Sequence, residues 1–130
     1  MAKALQPKVQ VIGVQAEGAP AVYHSWRERE LQTAGIETTA EGLATGQAYY
    51  IAVKTFVERM DDMLLLSDEE MRQAVVLLLR SAHVVAEESG AASTAAAVKL
   101  RERLADKKVA IVVSGGNMTL DSLRRALLVA

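Results

Sequence analysis

Residues 109–117 read VAIVVSGGN, and this stretch decides the fold. Its apolar run, 109–113, is continuous and rich in β-branched residues, which is typical of a strand buried on both faces of a parallel sheet. The run leads into Ser-Gly-Gly-Asn and then into a predicted helix from about Thr119 to Leu128. A strand that passes through a glycine-rich turn into a helix is the repeating unit of an α/β fold.

Two more apolar runs predict strands of the same sheet. The first covers residues 9–14, VQVIGV, and the second covers residues 63–66, MLLL. Helical spacing elsewhere predicts helices over about residues 19–32, 45–60, 67–82, 89–104 and 119–128. This order predicts the fold class α/β, a partial parallel sheet flanked by helices with right-handed crossovers. We expect residues 1–130 to form a single domain, and so small a sheet indicates a fragment of a larger one.

The helix after residues 63–66 has the clearest start signal. Ser67 and Glu70 stand at capping-box spacing, in which the serine hydroxyl and the glutamate carboxylate each accept a hydrogen bond from the other residue's backbone amide. Apolar residues then follow on a single helical face: Met71, Ala74, Val75, Leu78, Leu79 and Ala82.

The composition excludes several classes of function. Lys plus Arg total 15 against 16 Asp plus Glu, which argues against duplex nucleic acid or an anionic membrane as a partner. The absence of cysteine excludes thiol nucleophiles, and two histidines are too few for a histidine-rich metal site. The longest apolar run, residues 74–79, is far shorter than the roughly 20 residues of a membrane helix. Because no signal core is visible either, we expect a cytoplasmic protein.

Three glycine-containing turns are candidates for binding a ligand. The Ser-Gly-Gly-Asn turn, 114–117, follows a predicted strand, and ligands of α/β sheets bind at the carboxyl ends of strands. Residues 87–93, EESGAAS, place two carboxylates and a glycine at a helix start, and residues 38–44, TTAEGLA, form a polar turn. Each segment also has a purely structural interpretation as a helix cap or a solvated turn. The residues alone leave both interpretations open.

Taken together and in order, five segments resemble one enzyme family. They are 11–19, VIGVQAEGA; 39–44, TAEGLA; 67–70, SDEE; 87–92, EESGAA; and 114–117, SGGN. Their order and spacing resemble the serine/threonine dehydratase and serine racemase family of fold-type II pyridoxal-phosphate enzymes, and its threonine dehydratases above all. The resemblance covers about residues 9–127 and implies that the chain is the C-terminal part of the large domain.

The resemblance implies a set of residues that bind pyridoxal 5'-phosphate: Ser114, Gly115, Gly116, Asn117 and Glu87. Ser114 matches the family serine that hydrogen-bonds the pyridine nitrogen. A neutral hydroxyl leaves that nitrogen unprotonated, so the ring is a moderate electron sink suited to β-elimination. Gly115 and Gly116 would form the wall beside the ring, and Glu87 matches a carboxylate near it.

Three positions depart from the patterns of relatives. Racemase-type relatives bind a divalent cation through a glutamate after the first strand and an aspartate a few residues later. Gln15 and Ala21 stand at those positions, so the resemblance implies no metal site and favours a dehydratase over a cation-dependent racemase. Glu41 stands where relatives commonly carry aspartate, in a loop near the entrance of the active site.

A larger departure concerns the catalytic lysine. The family forms a Schiff base through a lysine in a Ser-x-Lys motif and holds the phosphate with a glycine run. None of the six lysines lies in such a motif: Lys3, Lys8, Lys54, Lys99, Lys107 and Lys108. We therefore predict no catalytic residue in this chain and no dehydratase activity from the chain alone. The full-length enzyme would convert L-threonine, and less readily L-serine, by elimination of water and ammonia, giving 2-oxobutanoate from threonine.

Other functions remain open on the sequence. The chain could be a non-catalytic remnant that associates with itself or with a partner, because a sheet without its neighbouring strands exposes apolar edges. It could also be a serine dehydratase or racemase relative, or a small sensor that binds a ligand at the Ser-Gly-Gly-Asn turn. The oligomers of full-length relatives imply a homo-oligomer.

Overall fold

A pair of parallel strands lies at the centre of the computed structural model, which describes residues 2–128. Strand β1, Ile12–Ala16, pairs with β2, Asp62–Leu66, so that the first residues of the two strands are opposite each other and so are the last. The amide of Glu17 extends the pairing by donating to the Leu66 carbonyl at 2.8 Å. Two of the predicted strands are therefore confirmed, each within a few residues of its expected bounds.

Helices flank this pair of strands. In chain order they are α1 (Ala2–Leu5), α2 (Ala21–Glu28), α3 (Tyr50–Arg59), α4 (Asp68–Ala82), α5 (Glu88–Lys99) and α6 (Leu120–Leu127). A single 3-10 turn, Glu41–Leu43, lies between α2 and α3. Among the described residues, no helix combines the length and the apolar character needed to span a bilayer.

The predicted bounds of α2 and α3 were too wide. Helix α2 ends at Glu28 because Arg29 adopts a left-handed backbone conformation, with φ at 59°. Helix α3 begins at Tyr50 because the chain before it pairs elsewhere, in an antiparallel bridge between Thr33 and Gln47. Both differences arise from backbone conformations that helical spacing of apolar residues does not report.

Helix α4 begins as its capping box predicts. The amide of Glu70 donates to Ser67 Oγ at 3.2 Å, and the amide of Ser67 donates to Glu70 Oε2 at 2.8 Å. Three residues of the predicted apolar face are buried in the core: Met71, Ala74 and Val75. The capping box therefore fixes the start of this helix, and the spacing of the apolar residues gives the face it buries.

Helix α5 packs against α4 and the strands through small side chains. Apart from Glu88, its buried residues are small: Gly90, Ala91, Ala92, Thr94, Ala95 and Ala96. Such small side chains allow neighbouring backbones to lie close together without leaving voids. Ala16 and Leu66, the last residues of the two strands, are fully buried in the same core.

The predicted third strand, residues 109–113, is wrong for this structure. No backbone ladder joins this segment to β1 or β2, and Val112 is 71% exposed. A strand needs a neighbour to pair with its amides and carbonyls, and here the Val112 carbonyl instead accepts a hydrogen bond from Ser93 Oγ of α5 at 2.6 Å. The fold class α/β, a small parallel sheet flanked by helices, is confirmed with one strand fewer than expected.

Candidate functional site

A cleft of about 110 Å³ opens beside the N-terminus of α5. Its lining comes from three distant parts of the chain: Thr39, Ala40, Glu41, Glu87, Glu88, Ser89, Asn117, Met118, Thr119 and Ser122. Thr119 also caps α6, since its hydroxyl accepts from the Ser122 amide at 3.1 Å. The three glycine-containing turns that the sequence singles out therefore meet at one place.

The Ser-Gly-Gly-Asn turn lies against the start of α5. The amide of Glu87 donates to the Gly115 carbonyl at 3.2 Å. A Cβ atom on Gly115 would lie 1.9 Å from Glu87 Oε1, and a Cβ atom on Gly90 would lie 2.2 Å from the Gly115 carbonyl oxygen. The atom met at Gly90 belongs to the backbone and cannot move aside easily, so glycine at position 90 allows the turn and the helix to approach this closely. The atom met at Gly115 is the end of the Glu87 side chain, which can rotate away.

The predicted cofactor-binding residues occupy one neighbourhood. Glu87 and Asn117 line the cleft itself. Gly115 contacts Glu87, Gly116 would place a Cβ atom 2.7 Å from the Val85 carbonyl oxygen, and the Ser114 side chain is exposed. The grouping follows from the fold, while the role of these residues in binding a cofactor remains a prediction.

The loop that carries Glu41 is fastened by two threonines. Thr38 Oγ1 donates to Asp68 Oδ1 at 2.5 Å, and the amide of Thr39 donates to Asp68 Oδ2 at 2.7 Å. Burial alone would raise the pKa of Asp68, but hydrogen bonds from both threonines and the positive charge of Arg72 outweigh burial and lower the pKa. Asp68 is therefore a charged anchor for this loop.

Glu88 is the most buried acid of the cleft, with 4% of its side chain exposed. Its Oε2 lies 2.5 Å from Thr39 Oγ1 and 3.9 Å from Arg72 Nη1, while its Oε1 has no hydrogen-bond partner among the described residues. In the sequence this residue stands out only as one of two carboxylates at a helix start. No pattern in the sequence pairs it with Thr39, which lies 49 positions earlier.

The two positions for which the resemblance implies the loss of a metal site, Gln15 and Ala21, are both buried. Gln15 is 4% exposed and Ala21 is 0% exposed. The side-chain oxygen of Gln15 accepts from the backbone amide of Tyr23 at 2.7 Å, so this residue satisfies an amide in the first turn of α2. In the part of the chain that the structure describes, no group of three or more acidic or histidine side chains could hold a metal ion.

The fold and the site together define a class of protein: α/β proteins in which a glycine-rich turn packs on the N-terminus of a helix. A family model described as "Pyridoxal-phosphate dependent enzyme" matches residues 1–115. This match covers most of the chain, and the chain therefore belongs to the family of pyridoxal-phosphate dependent enzymes. The resemblance drawn from the sequence motifs is confirmed at the level of the family.

Solved structures of family enzymes have the same fold. A threonine deaminase from T.th. is 30% identical, with a TM-score of 0.84 over 92% of this chain and 43% of that one. The processed form of threonine deaminase isoform 2 from Solanum lycopersicum is 26% identical, with a TM-score of 0.87 over 98% of this chain and 38% of that one. Maize serine racemase is 25% identical, with a TM-score of 0.84 over 98% of this chain and 42% of that one.

The chain thus spans 38–43% of the length of these three proteins. No curated protein matches it significantly by sequence.

Proposed function

We propose that this chain forms one side of the pyridoxal 5'-phosphate site in the large domain of a threonine dehydratase. The enzyme would remove water and ammonia from L-threonine to give 2-oxobutanoate. One observation carries the proposal: the Gly115 carbonyl accepts from the Glu87 amide, which brings the Ser-Gly-Gly-Asn turn to the start of α5 beside the cleft. The similar structures support it, since two of the three described above are threonine deaminases.

The cleft is of a size expected if this chain forms only part of the cofactor site. Pockets that enclose a whole small molecule have volumes of about 300–1,000 Å³, whereas this cleft has about 110 Å³. It therefore has room for part of an aromatic cofactor, and the remaining surface of the cofactor would need other residues. When bound, the cofactor supplies an electron sink for the bonds that break at the amino acid.

The residues of the chain fit one face of such a ring. Ser114 has an exposed side chain whose hydroxyl is able to donate a hydrogen bond to the ring nitrogen. Gly115 and Gly116 carry no side chains that would keep the ring away from the backbone. Glu87 and Asn117 would border the ring on the side of the cleft.

Gln15 supports a dehydratase over a cation-dependent racemase. Its neutral side-chain oxygen already accepts from the Tyr23 amide, and Ala21 supplies no ligand atom at all in its side chain. The serine racemase among the similar structures makes a racemase or serine dehydratase the alternative reaction. L-serine is accordingly the second substrate to test.

The cofactor assignment is tested by titrating pyridoxal 5'-phosphate into the isotopically labelled chain and following backbone amide signals by NMR. We expect the signals of residues 87–90 and 114–117 to shift, and Ser114→Ala to weaken the shifts. Ser81→Ala, a change of an exposed serine on α4, is the matched control and should leave them unchanged. Shifts confined to other parts of the chain, or none, would contradict the proposal.

The chain alone should release no 2-oxobutanoate from L-threonine in the same samples. None of its six lysines lies in a Ser-x-Lys motif, and the elimination needs an amine held against the aldehyde of the cofactor. Steady release by the pure chain, undiminished after chromatography, would show that one of these lysines serves the reaction.

A second candidate function is self-association through the exposed apolar segment 109–113, which would make the chain a homo-oligomer. Val109, Ile111, Val112 and Val113 are 47%, 43%, 71% and 39% exposed, and contiguous apolar surface favours association. Sedimentation at increasing concentration should then show larger species. Val112→Lys should reduce them, whereas Val98→Lys, at a 45% exposed position on α5, should not. A concentration-independent monomer would exclude this function.

A further inference from the structure

A groove between α4 and α5 holds a cavity of about 490 Å³ that the proposed function does not use. Its lining residues are Glu70, Gln73, Ala74, Leu77, Arg80, Ala95, Val98, Lys99 and Arg101. None of them lines the cleft beside the start of α5. Pockets that enclose a small molecule have volumes of about 300–1,000 Å³, so this groove is large enough for a ligand of its own.

The floor of the groove is apolar. The lining residues of α4, from Glu70 to Arg80, recur at helical spacing and so lie along one face of that helix. Ala74 of this face and Ala95 of α5 are 2% and 4% exposed, and their small side chains leave the space that forms the groove. Val98 borders the same space and is 45% exposed. An apolar part of a ligand would therefore lose water on binding here.

The charges of the groove are mostly positive, and only one of them is paired. Lys99 Nζ lies 2.9 Å from Glu70 Oε1 and donates to the Leu65 carbonyl at 3.1 Å. Arg80 and Arg101 are both exposed, and no carboxylate of a described residue lies within ion-pair distance of either one. The chain as a whole has a net charge of -1, yet these two arginines give the groove positive charge that no neighbouring acid neutralises.

We propose that the groove between α4 and α5 binds a small organic phosphate, a phosphate monoester with an apolar body. Such an ester carries about two negative charges near neutral pH, which matches the charge of Arg80 and Arg101 together. A guanidinium group binds phosphate oxygens through a planar fork of N–H donors. The apolar body would lie on Ala74 and Ala95. The groove and the cleft share no lining residue, so this proposal does not depend on the proposed function.

Phenyl phosphate is the probe that tests the proposal, because it combines an apolar ring with a phosphate monoester. Titrated into the isotopically labelled chain without cofactor, it should shift the backbone amide signals of residues 73–80 and 95–101 in a saturable way. Inorganic phosphate lacks the ring and phenol lacks the charge, and each should bind at least about tenfold more weakly. Shifts confined to residues 87–90 and 114–117 would place the probe in the cleft and overturn the proposal.

The two arginines are tested one at a time. Arg80→Gln and Arg101→Gln should each weaken phenyl phosphate binding about tenfold, the loss expected for one hydrogen bond to a charged group. Arg59→Gln is the matched control, since Arg59 of α3 is also exposed, lies outside the groove and forms no ion pair with a described residue. Equal weakening in all three variants would show that only the net charge of the chain matters, and the proposal would be wrong.

A pair of substitutions at the exposed Gln73 keeps the size of the side chain similar and reverses its charge. Gln73→Glu should weaken phenyl phosphate binding, and Gln73→Lys should strengthen it, both effects fading as the salt concentration rises. Equal affinities of the two variants at low salt would mean that the phosphate does not bind in the groove.

Discussion

Two segments of this molecule have nearly the same sequence pattern and opposite structures. Residues 11–16, VIGVQA, lead into and form β1, and the last residue, Ala16, is fully buried. Residues 109–113, VAIVV, pair with no strand among the described residues, and Val112 is 71% exposed. The two segments differ in whether a strand pairs with them. Strand β2 pairs with β1 along its whole length, whereas residues 109–113 pair with no strand among the described residues, and the Val112 carbonyl accepts a hydrogen bond from Ser93 of α5. A run of β-branched residues therefore forms a strand only where another strand is available to pair with its backbone.

The largest effect that tests this comparison is the loss of a buried side chain at the end of the ladder. Leu66→Ala should lower the free energy of unfolding by about 2–5 kcal/mol, because the leucine is fully buried and its loss leaves a cavity. Val112→Ala should change it by less than about 0.5 kcal/mol, since that side chain is already mostly in water. Urea unfolding of the two variants and the unchanged chain measures both.

Equal losses from the two substitutions would break the comparison. They would mean that Val112 is buried in solution, as it would be in a self-associated form. Repeating the measurement at several protein concentrations separates that case from burial within one chain.

A smaller effect is expected where the later segment touches α5. An alanine in place of glycine inside a helix normally stabilises it by about 1 kcal/mol. Gly90→Ala should instead destabilise the chain by about 1–3 kcal/mol, because the new Cβ atom would lie 2.2 Å from the backbone oxygen of Gly115. Gly35→Ala is the control, since a Cβ atom there meets nothing within 4 Å. Thermal unfolding of both variants shows whether each substitution raises or lowers the stability of the chain.

A stabilised Gly90→Ala chain would show that the Ser-Gly-Gly-Asn turn does not rest on α5. In that case the neighbourhood of Glu87 and Gly115, which carries the proposed function, would not persist in solution.

The sequence was sufficient where the signal is local. The capping box of Ser67 and Glu70 predicted the start of α4, and two apolar runs predicted β1 and β2 within a few residues. It was insufficient at the ends of α2 and α3, because a left-handed residue and an isolated bridge leave no hydrophobic pattern. The third strand was predicted from its composition, although pairing depends on a neighbour that composition does not supply.

The candidate site divides in the same way. The glycine-containing turns were found in the sequence because glycines and polar residues after apolar runs are a local signal. The contact of Thr39 with Asp68 and Glu88 was missed, since it joins positions 29 and 49 residues apart. Long-range hydrogen bonds of this kind depend on the fold and have no spacing that a single sequence reveals.

The smallest effect concerns the loop that carries Glu41, which hydrogen bonds to Asp68 help to hold in place. The pKa of Asp68 is lowered because hydrogen bonds from Thr38 and Thr39 and the charge of Arg72 together exceed the opposing effect of burial. A carboxyl group with a lowered pKa in the folded state stabilises the fold above its unfolded pKa of about 3.9, and that stabilisation is lost as the pH falls through the folded value. Asp68→Asn should therefore cost about 1 kcal/mol near neutral pH and less in acid, where the unchanged chain loses the same contribution. Urea unfolding of both proteins between neutral and acidic pH measures this convergence, and a constant difference at every pH would mean that the charge of Asp68 does not hold the loop.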